Sequence, residues 1–143
     1  MTEHGDWSHE TVLAAEPISA LKARRFVCSH LVHHGLRYLM DPVRLVASEL
    51  ATNAISHARS PFTMTVSQRD DAVLLTVQVR SRSIPAQPTS SEPRLAGRGL
   101  AIVALLSQEW GVSTDEAGRT SVWASFAARR TPERPTTGAT QSS

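Results

Sequence analysis

The feature that most constrains the fold is a change of hydrophobic period at Pro61. Before this proline, Val43, Val46 and Leu50 recur at spacings of three and four residues, which predicts one buried face of a helix. After it, residues 62–66 alternate apolar and polar side chains, which is typical of a strand with one buried face. A chain with both patterns needs a layer of helices packed on a sheet.

The first two helices are predicted from their ends as well as their spacing. The first covers residues 17–34, and Gly35 follows as a stop signal. For the second, we expect Asp41 as the N-cap and Pro42 at the first helical position, with the helix running through His57.

The rest of the chain predicts mainly strands. In chain order, the further segments are a short edge strand at 11–15, a hairpin at 62–79, an irregular proline-rich loop at 80–98, an apolar helix at 100–108 and a hairpin at 110–126. These elements predict the α+β class. We expect a two-layer α/β sandwich with three helices on one face of a mostly antiparallel mixed sheet.

Composition indicates one domain in a reducing compartment. A chain of 143 residues that is 41% hydrophobic can bury a core without cross-links, and we place the domain at residues 11–127. Residues 1–10 are predicted to form a flexible polar arm, and residues 128–143 a disordered tail rich in Pro, Thr and Ser. Cys28 is the single cysteine, which excludes an internal disulfide. Because no apolar run has the length of a membrane span or a signal peptide, we expect a cytoplasmic protein.

The net charge of +2 does not indicate a nucleic-acid-binding protein. Three of the cations, Arg129, Arg130 and Arg134, lie in the predicted tail. Binding to the phosphate backbone needs several cations on one face, and stacking residues are scarce here. We therefore expect no direct contact with nucleic acid.

Three polar residues lie at four-residue intervals on the second helix: Glu49, Asn53 and His57. Four residues is about one helical turn, so these side chains form a ridge at the edge of the apolar face. A carboxylate and an amide at such a margin need partners. Backbone groups of a neighbouring loop are one possibility, and a bound ligand is the other.

A glycine pair precedes the predicted third helix, at Gly97 and Gly99 on either side of Arg98. Glycines before a helix let the backbone approach a ligand closely, and the N–H groups of a helix N-terminus attract phosphate. An Asn oxygen can complete the shell of a magnesium ion held mainly by phosphates and water, and a Glu can deprotonate a hydroxyl. Alone, the glycine pair is a weak signal, because most such pairs are only turns.

The order of these motifs resembles the histidine-kinase-like ATPase superfamily, and within it the anti-sigma-factor serine/threonine kinases of bacteria. Ser48–Ala58 is similar to the N box of that family, and Gly97–Val103 is similar to its second glycine box. Trp110–Val112 and Val122–Ala124 resemble its closing strands. The resemblance covers roughly residues 16–126 and implies a Bergerat-type ATPase fold.

The resemblance also implies roles for individual residues. Glu49 would be the catalytic carboxylate, and Asn53 would hold magnesium and the phosphates of ATP. The nucleotide lid would include Gly97, Arg98, Gly99 and Leu100. The implied activity is phosphorylation of a small anti-anti-sigma factor together with sequestration of a sigma factor, and such kinases commonly form homodimers.

One position departs from the family pattern. Where the family has an Asp that accepts a hydrogen bond from the adenine amino group, this chain has Ser81, and no glycine follows before Gly97. A neutral hydroxyl cannot replace that charge-assisted bond, which contributes about 1.5–3 kcal/mol. Ser81 is therefore expected at the nucleotide but with a weakened adenine site. The alternative is a nucleotide-poor, protein-binding module of the same partner-switching system.

A histidine-rich stretch ends the first predicted helix, with His30, His33 and His34. The i, i+4 spacing of His30 and His34 occurs in some zinc sites. No third ligand accompanies them in the sequence, so half-exposed histidines are the simpler interpretation.

Overall fold

A single five-stranded sheet organises the protein in its computed structural model, which describes residues 6–58, 60–79 and 101–128. The strands are β1 (Trp7–Leu13), β2 (Phe62–Arg69), β3 (Ala72–Val79), β4 (Glu109–Thr114) and β5 (Thr120–Ala127). Their order across the sheet is β1-β2-β3-β5-β4, and each neighbouring pair is antiparallel. The sheet is thus antiparallel throughout its described strands, where a mixed sheet was expected.

Helices cover one face of this sheet, which confirms the predicted α+β class. Helix α1 spans Ile18–His33, and a 3-10 turn at Arg37–Leu39 leads directly into α2, which spans Met40–Ala58. The described part of a third helix, α3, covers residues 101–106. Buried side chains of the three helices and of the inner sheet face form one hydrophobic core.

The two hydrophobic periods place the core as the sequence predicts. The residues of α2 predicted to face the sheet are all buried: Val43, Val46, Ala47, Leu50 and Ala54. On β2 and β3 the buried residues are the alternating apolar ones: Phe62, Met64, Val66, Val73, Leu75, Val77 and Val79. The switch of period at Pro61 therefore marks the passage from the helical layer to the sheet.

Three predicted boundaries were wrong. Strand β1 begins at Trp7 rather than at residue 11, because residues 7–10 pair with β2. These four residues of the predicted arm therefore belong to the sheet. Asp41, predicted to be the N-cap, lies inside the first turn of α2, because the 3-10 turn leads directly into this helix at Met40. Oδ1 of Asp41 forms an ion pair with Nη2 of Arg44 at 3.0 Å. Ala128, assigned to the tail, is buried and donates its N–H to the Asp71 carbonyl at 2.7 Å.

The turn between β2 and β3 forms hydrogen bonds with residues at both ends of the described domain. Asp70 has a φ of 57°, a left-handed conformation that Asp adopts more readily than most residues. Its backbone N–H donates to Asp6 Oδ1 at 3.2 Å, while the Asp71 carbonyl accepts the bond from Ala128. Asp6 precedes β1 and Ala128 follows β5, so this turn links the two ends of the chain that the structure describes.

Gly111 lies under an indole ring on the outer face of the sheet. It is paired with Trp123 across β4 and β5, and a Cβ added at Gly111 would lie 2.7 Å from Cζ2 of that ring. We expect Gly111→Ala to lower the free energy of unfolding by about 1–3 kcal/mol, because the ring must leave its packed position. Urea denaturation followed by circular dichroism measures this loss. Ser113→Ala, on the same face of β4, is the matched control, and equal losses in the two variants would contradict the predicted clash.

Candidate functional site

The three residues of the predicted ridge on α2 differ in their exposure. Glu49 and Asn53 lie one helical turn apart and are both half-buried at the margin of the core. His57, one turn further along, is exposed. The prediction that the ridge lies at the edge of the apolar face therefore fits Glu49 and Asn53 but not His57, because α2 extends past the edge of the core at its C-terminal end.

Neither Glu49 nor Asn53 has a side-chain hydrogen bond or ion pair with any residue that the structure describes. A carboxylate and an amide oxygen spaced by one turn offer acceptors to a cation, a hydroxyl or an amino group. The interpretation in which backbone groups of a neighbouring loop bond to Glu49 and Asn53 has no support among the described residues.

The rotation of α2 about its axis determines where these side chains point. On one side of the helix, Arg24 Nη1 of α1 donates to Ser48 Oγ at 3.1 Å. On another, Val46 and Leu50 are buried against the sheet. Glu49 is left at the margin because its two sequence neighbours, Ser48 and Leu50, are fixed in this way.

The link between Arg24 and Ser48 was missed by sequence reasoning. Both residues lie in segments that the family resemblance covers, but their contact joins positions 24 residues apart. The sequence offered little signal for this contact, because Arg24 is one of three cations in this part of α1, together with Lys22 and Arg25. A half-buried arginine needs an acceptor, and Ser48 supplies one.

The other predicted site residues lie outside the described residues: Ser81, Gly97, Arg98, Gly99 and Leu100. Their roles therefore stay predictions. The helix predicted to follow the glycine pair is present over residues 101–106, and its Val103 is fully buried in the common core.

Two further properties concern metals and membranes. Within residues 6–58, 60–79 and 101–128, no three His, Cys, Asp or Glu side chains are arranged to hold a metal ion. A magnesium ion held by phosphates, water and the Asn53 amide needs no such group, and an Asn53 side chain that has no partner among the described residues fits that use. No helix in the described part of the chain has the length and apolarity needed to cross a bilayer.

Comparison with known proteins identifies the class to which this fold and site belong. The model of the histidine kinase-like ATPase domain matches residues 13–126, and the chain therefore belongs to that family. Among solved structures, it is similar to the RsbU and RsbW domains of Rv1364c from Mycobacterium tuberculosis, with a TM-score of 0.65 and 19% sequence identity. That match covers 85% of this chain but 32% of the other, and at this identity it shows a common fold. No curated protein matches the chain.

The family match confirms the resemblance drawn from the motifs. Residues 13–126 run from the last residue of β1 into β5, so they include the whole of α2 with Glu49 and Asn53. Both side chains, which have no partner among the described residues, are thus part of a histidine kinase-like ATPase domain.

Proposed function

We propose that this protein is an ATP-dependent serine/threonine kinase of the anti-sigma type, which phosphorylates a small anti-anti-sigma factor and sequesters a sigma factor. The observation that carries the proposal is the pair of half-buried side chains of Glu49 and Asn53 on α2 of an ATPase domain, neither of which has a partner in the described part of the chain. The motif order supports the anti-sigma type in particular. A cytoplasmic location and a homodimer belong to the same proposal.

In the proposed kinase reaction, Asn53 and Glu49 of α2 have different roles. ATP, when bound with Mg2+, supplies the phosphoryl group that is transferred. Asn53 would hold the metal through its amide oxygen and would thereby help to orient the phosphates. Glu49 accepts the proton of the serine or threonine hydroxyl that attacks, and it lies one turn from Asn53 so that both act at the same place. The link from Arg24 to Ser48 keeps α2 in the rotation that this arrangement needs.

A second candidate function is a binding module that lacks the kinase step. Ser81 favours it, because a serine at the adenine-reading position removes a charge-assisted hydrogen bond. At about 1.4 kcal/mol per factor of ten, that loss weakens nucleotide binding by about ten- to more than a hundredfold. The binding partners would be the same anti-anti-sigma and sigma factors.

Calorimetric titration with Mg-ATP separates the two functions. For the kinase we expect micromolar affinity, and we expect Asn53→Ala to weaken it by at least about tenfold, since a contact with a charged group contributes about 1.5–3 kcal/mol. His57→Ala is the matched control, because His57 lies one turn beyond Asn53 but is exposed. Absence of heat at millimolar ATP would contradict the kinase and favour the binding module.

A further inference from the structure

Strand β1 is joined to helix α1 by a group of stacked rings, here called the histidine cluster: Trp7, His9, His30 and His34. The Trp7 ring is parallel to that of His34 within 1°, with centroids 3.9 Å apart. The His9 ring stacks on that of His30 with centroids 3.8 Å apart. Nε2 of His9 lies 3.0 Å from Nε2 of His34, which is a hydrogen bond between two imidazoles.

The first half of β1 has few other attachments. β1 is an edge strand that pairs with β2 only, and Leu13 at its end is its single buried residue. Besides the backbone ladder, Trp7 Nε1 donates to Gln68 Oε1 of β2 at 2.7 Å. The contact of this half-strand with the helical layer therefore depends on the histidine cluster.

The hydrogen bond between His9 and His34 depends on protonation. One Nε2 must donate and the other must accept, so the bond cannot survive when both nitrogens carry protons. His30 faces the same pair by stacking on His9, and His33 contacts His34 edge to face at 4.9 Å. Two protonated imidazoles in this cluster would repel each other, because their positive charges would lie only a few ångströms apart.

No described carboxylate compensates for such charges. Burial is the main cause that lowers the pKa of His30, followed by the nearby His9 and His33. The pKa of His34 is also lowered, first by burial and then by His33, His9 and His30. On the side of β2, the residues paired with His9 and Trp7 are Val66 and Gln68, and neither titrates. From α1, Phe26 packs its ring against His30.

We propose that the histidine cluster is a pH-sensitive latch that holds β1 on α1 at neutral pH and releases it as the pH falls below about 6.5, where free histidine takes up a proton. The sign follows from linkage. His30 and His34 bind protons more tightly when released than when stacked, so the latched form has its full stability above that pH and loses stability as the pH falls. This device is independent of the proposed kinase activity.

Amide hydrogen exchange of the whole chain, measured at pH 7.5 and 5.5 in the presence of EDTA, tests the latch. We expect the protection factors of β1 amides, corrected for the intrinsic effect of pH, to fall by about tenfold or more, since uptake of one proton on opening changes the equilibrium up to tenfold per pH unit. The amides of the central strand β3 should keep their protection. Equal protection of β1 at both pH values, or parallel losses in β1 and β3, would overturn the proposal.

A variant identifies the groups responsible. His9→Phe combined with His34→Phe keeps the stacked rings but removes the hydrogen-bonded pair of imidazoles, so the pH effect on β1 should shrink at least severalfold. A pH effect of unchanged size in this variant would refute the latch. Should the double variant fail to fold, the indole N–H resonance of Trp7 in the unchanged protein, assigned with Trp7→Phe, gives an independent measurement. It should shift between pH 7.5 and 5.5, and a constant position would contradict the release of Trp7.

Discussion

Replacement of Glu49 by glutamine should lower the rate of phosphoryl transfer to the partner protein by about 10²–10⁴-fold, the usual contribution of a positioned general base. The change keeps the size of the side chain and removes its ability to take the hydroxyl proton. Because Glu49 forms no hydrogen bond with a described residue, the fold should not respond. Transfer of labelled phosphate from ATP to an anti-anti-sigma factor measures the rate.

Two controls make this result specific. Glu116→Gln, an exposed carboxylate in the turn between β4 and β5, should leave the rate unchanged. Affinity of Glu49→Gln for Mg-ATP and for the partner should also stay close to that of the unchanged protein. An unaltered transfer rate would remove Glu49 from the chemistry, and loss of partner binding would instead assign Glu49 to the recognition surface.

Truncation of Leu50 to alanine should lower the free energy of unfolding by about 2–5 kcal/mol. Leu50 is 1% exposed and packs into the core shared by the helices and the sheet. Removing its branched end loses the transfer free energy of those atoms and leaves a cavity that a close-packed interior fills poorly. Urea denaturation gives the difference.

Leu45→Ala on the same helix is the matched control. Leu45 is 47% exposed, so its truncation should change the free energy of unfolding by less than about 0.5 kcal/mol, as for most surface substitutions. Similar losses in the two variants would mean that α2 is not oriented as its burial pattern indicates, and the positions of Glu49 and Asn53 would then be wrong as well.

The parts of the fold with a clear local period could be predicted from the sequence. Alternation from Phe62 to Val79 identified the central hairpin, and the spacing of Val43, Val46 and Leu50 identified the buried face of α2. These patterns are strong because one face of each element lies in water and the other in the core.

The parts that depend on distant contacts could not be predicted in this way. The start of β1 at Trp7 was missed because Ser8, His9 and Glu10 have little strand preference, and their placement depends on α1 and β2. The same holds for Arg24 and Ser48, whose bond joins two helices. Of the candidate site, the sequence predicted Glu49 and Asn53 from their spacing, but whether they had partners required the positions of their neighbours.

The turn at Asp70 and Asp71, which binds Asp6 on one side and Ala128 on the other, brings the two ends of the described domain to one edge of the molecule. β1 and β5 are separated there by three strand spacings, or about 14 Å at about 4.8 Å each. An extended linker of about five residues spans that distance. The domain therefore suits insertion into a surface loop of another protein, and it suits circular permutation, since joining its described ends would leave the sheet and helix α2 in place.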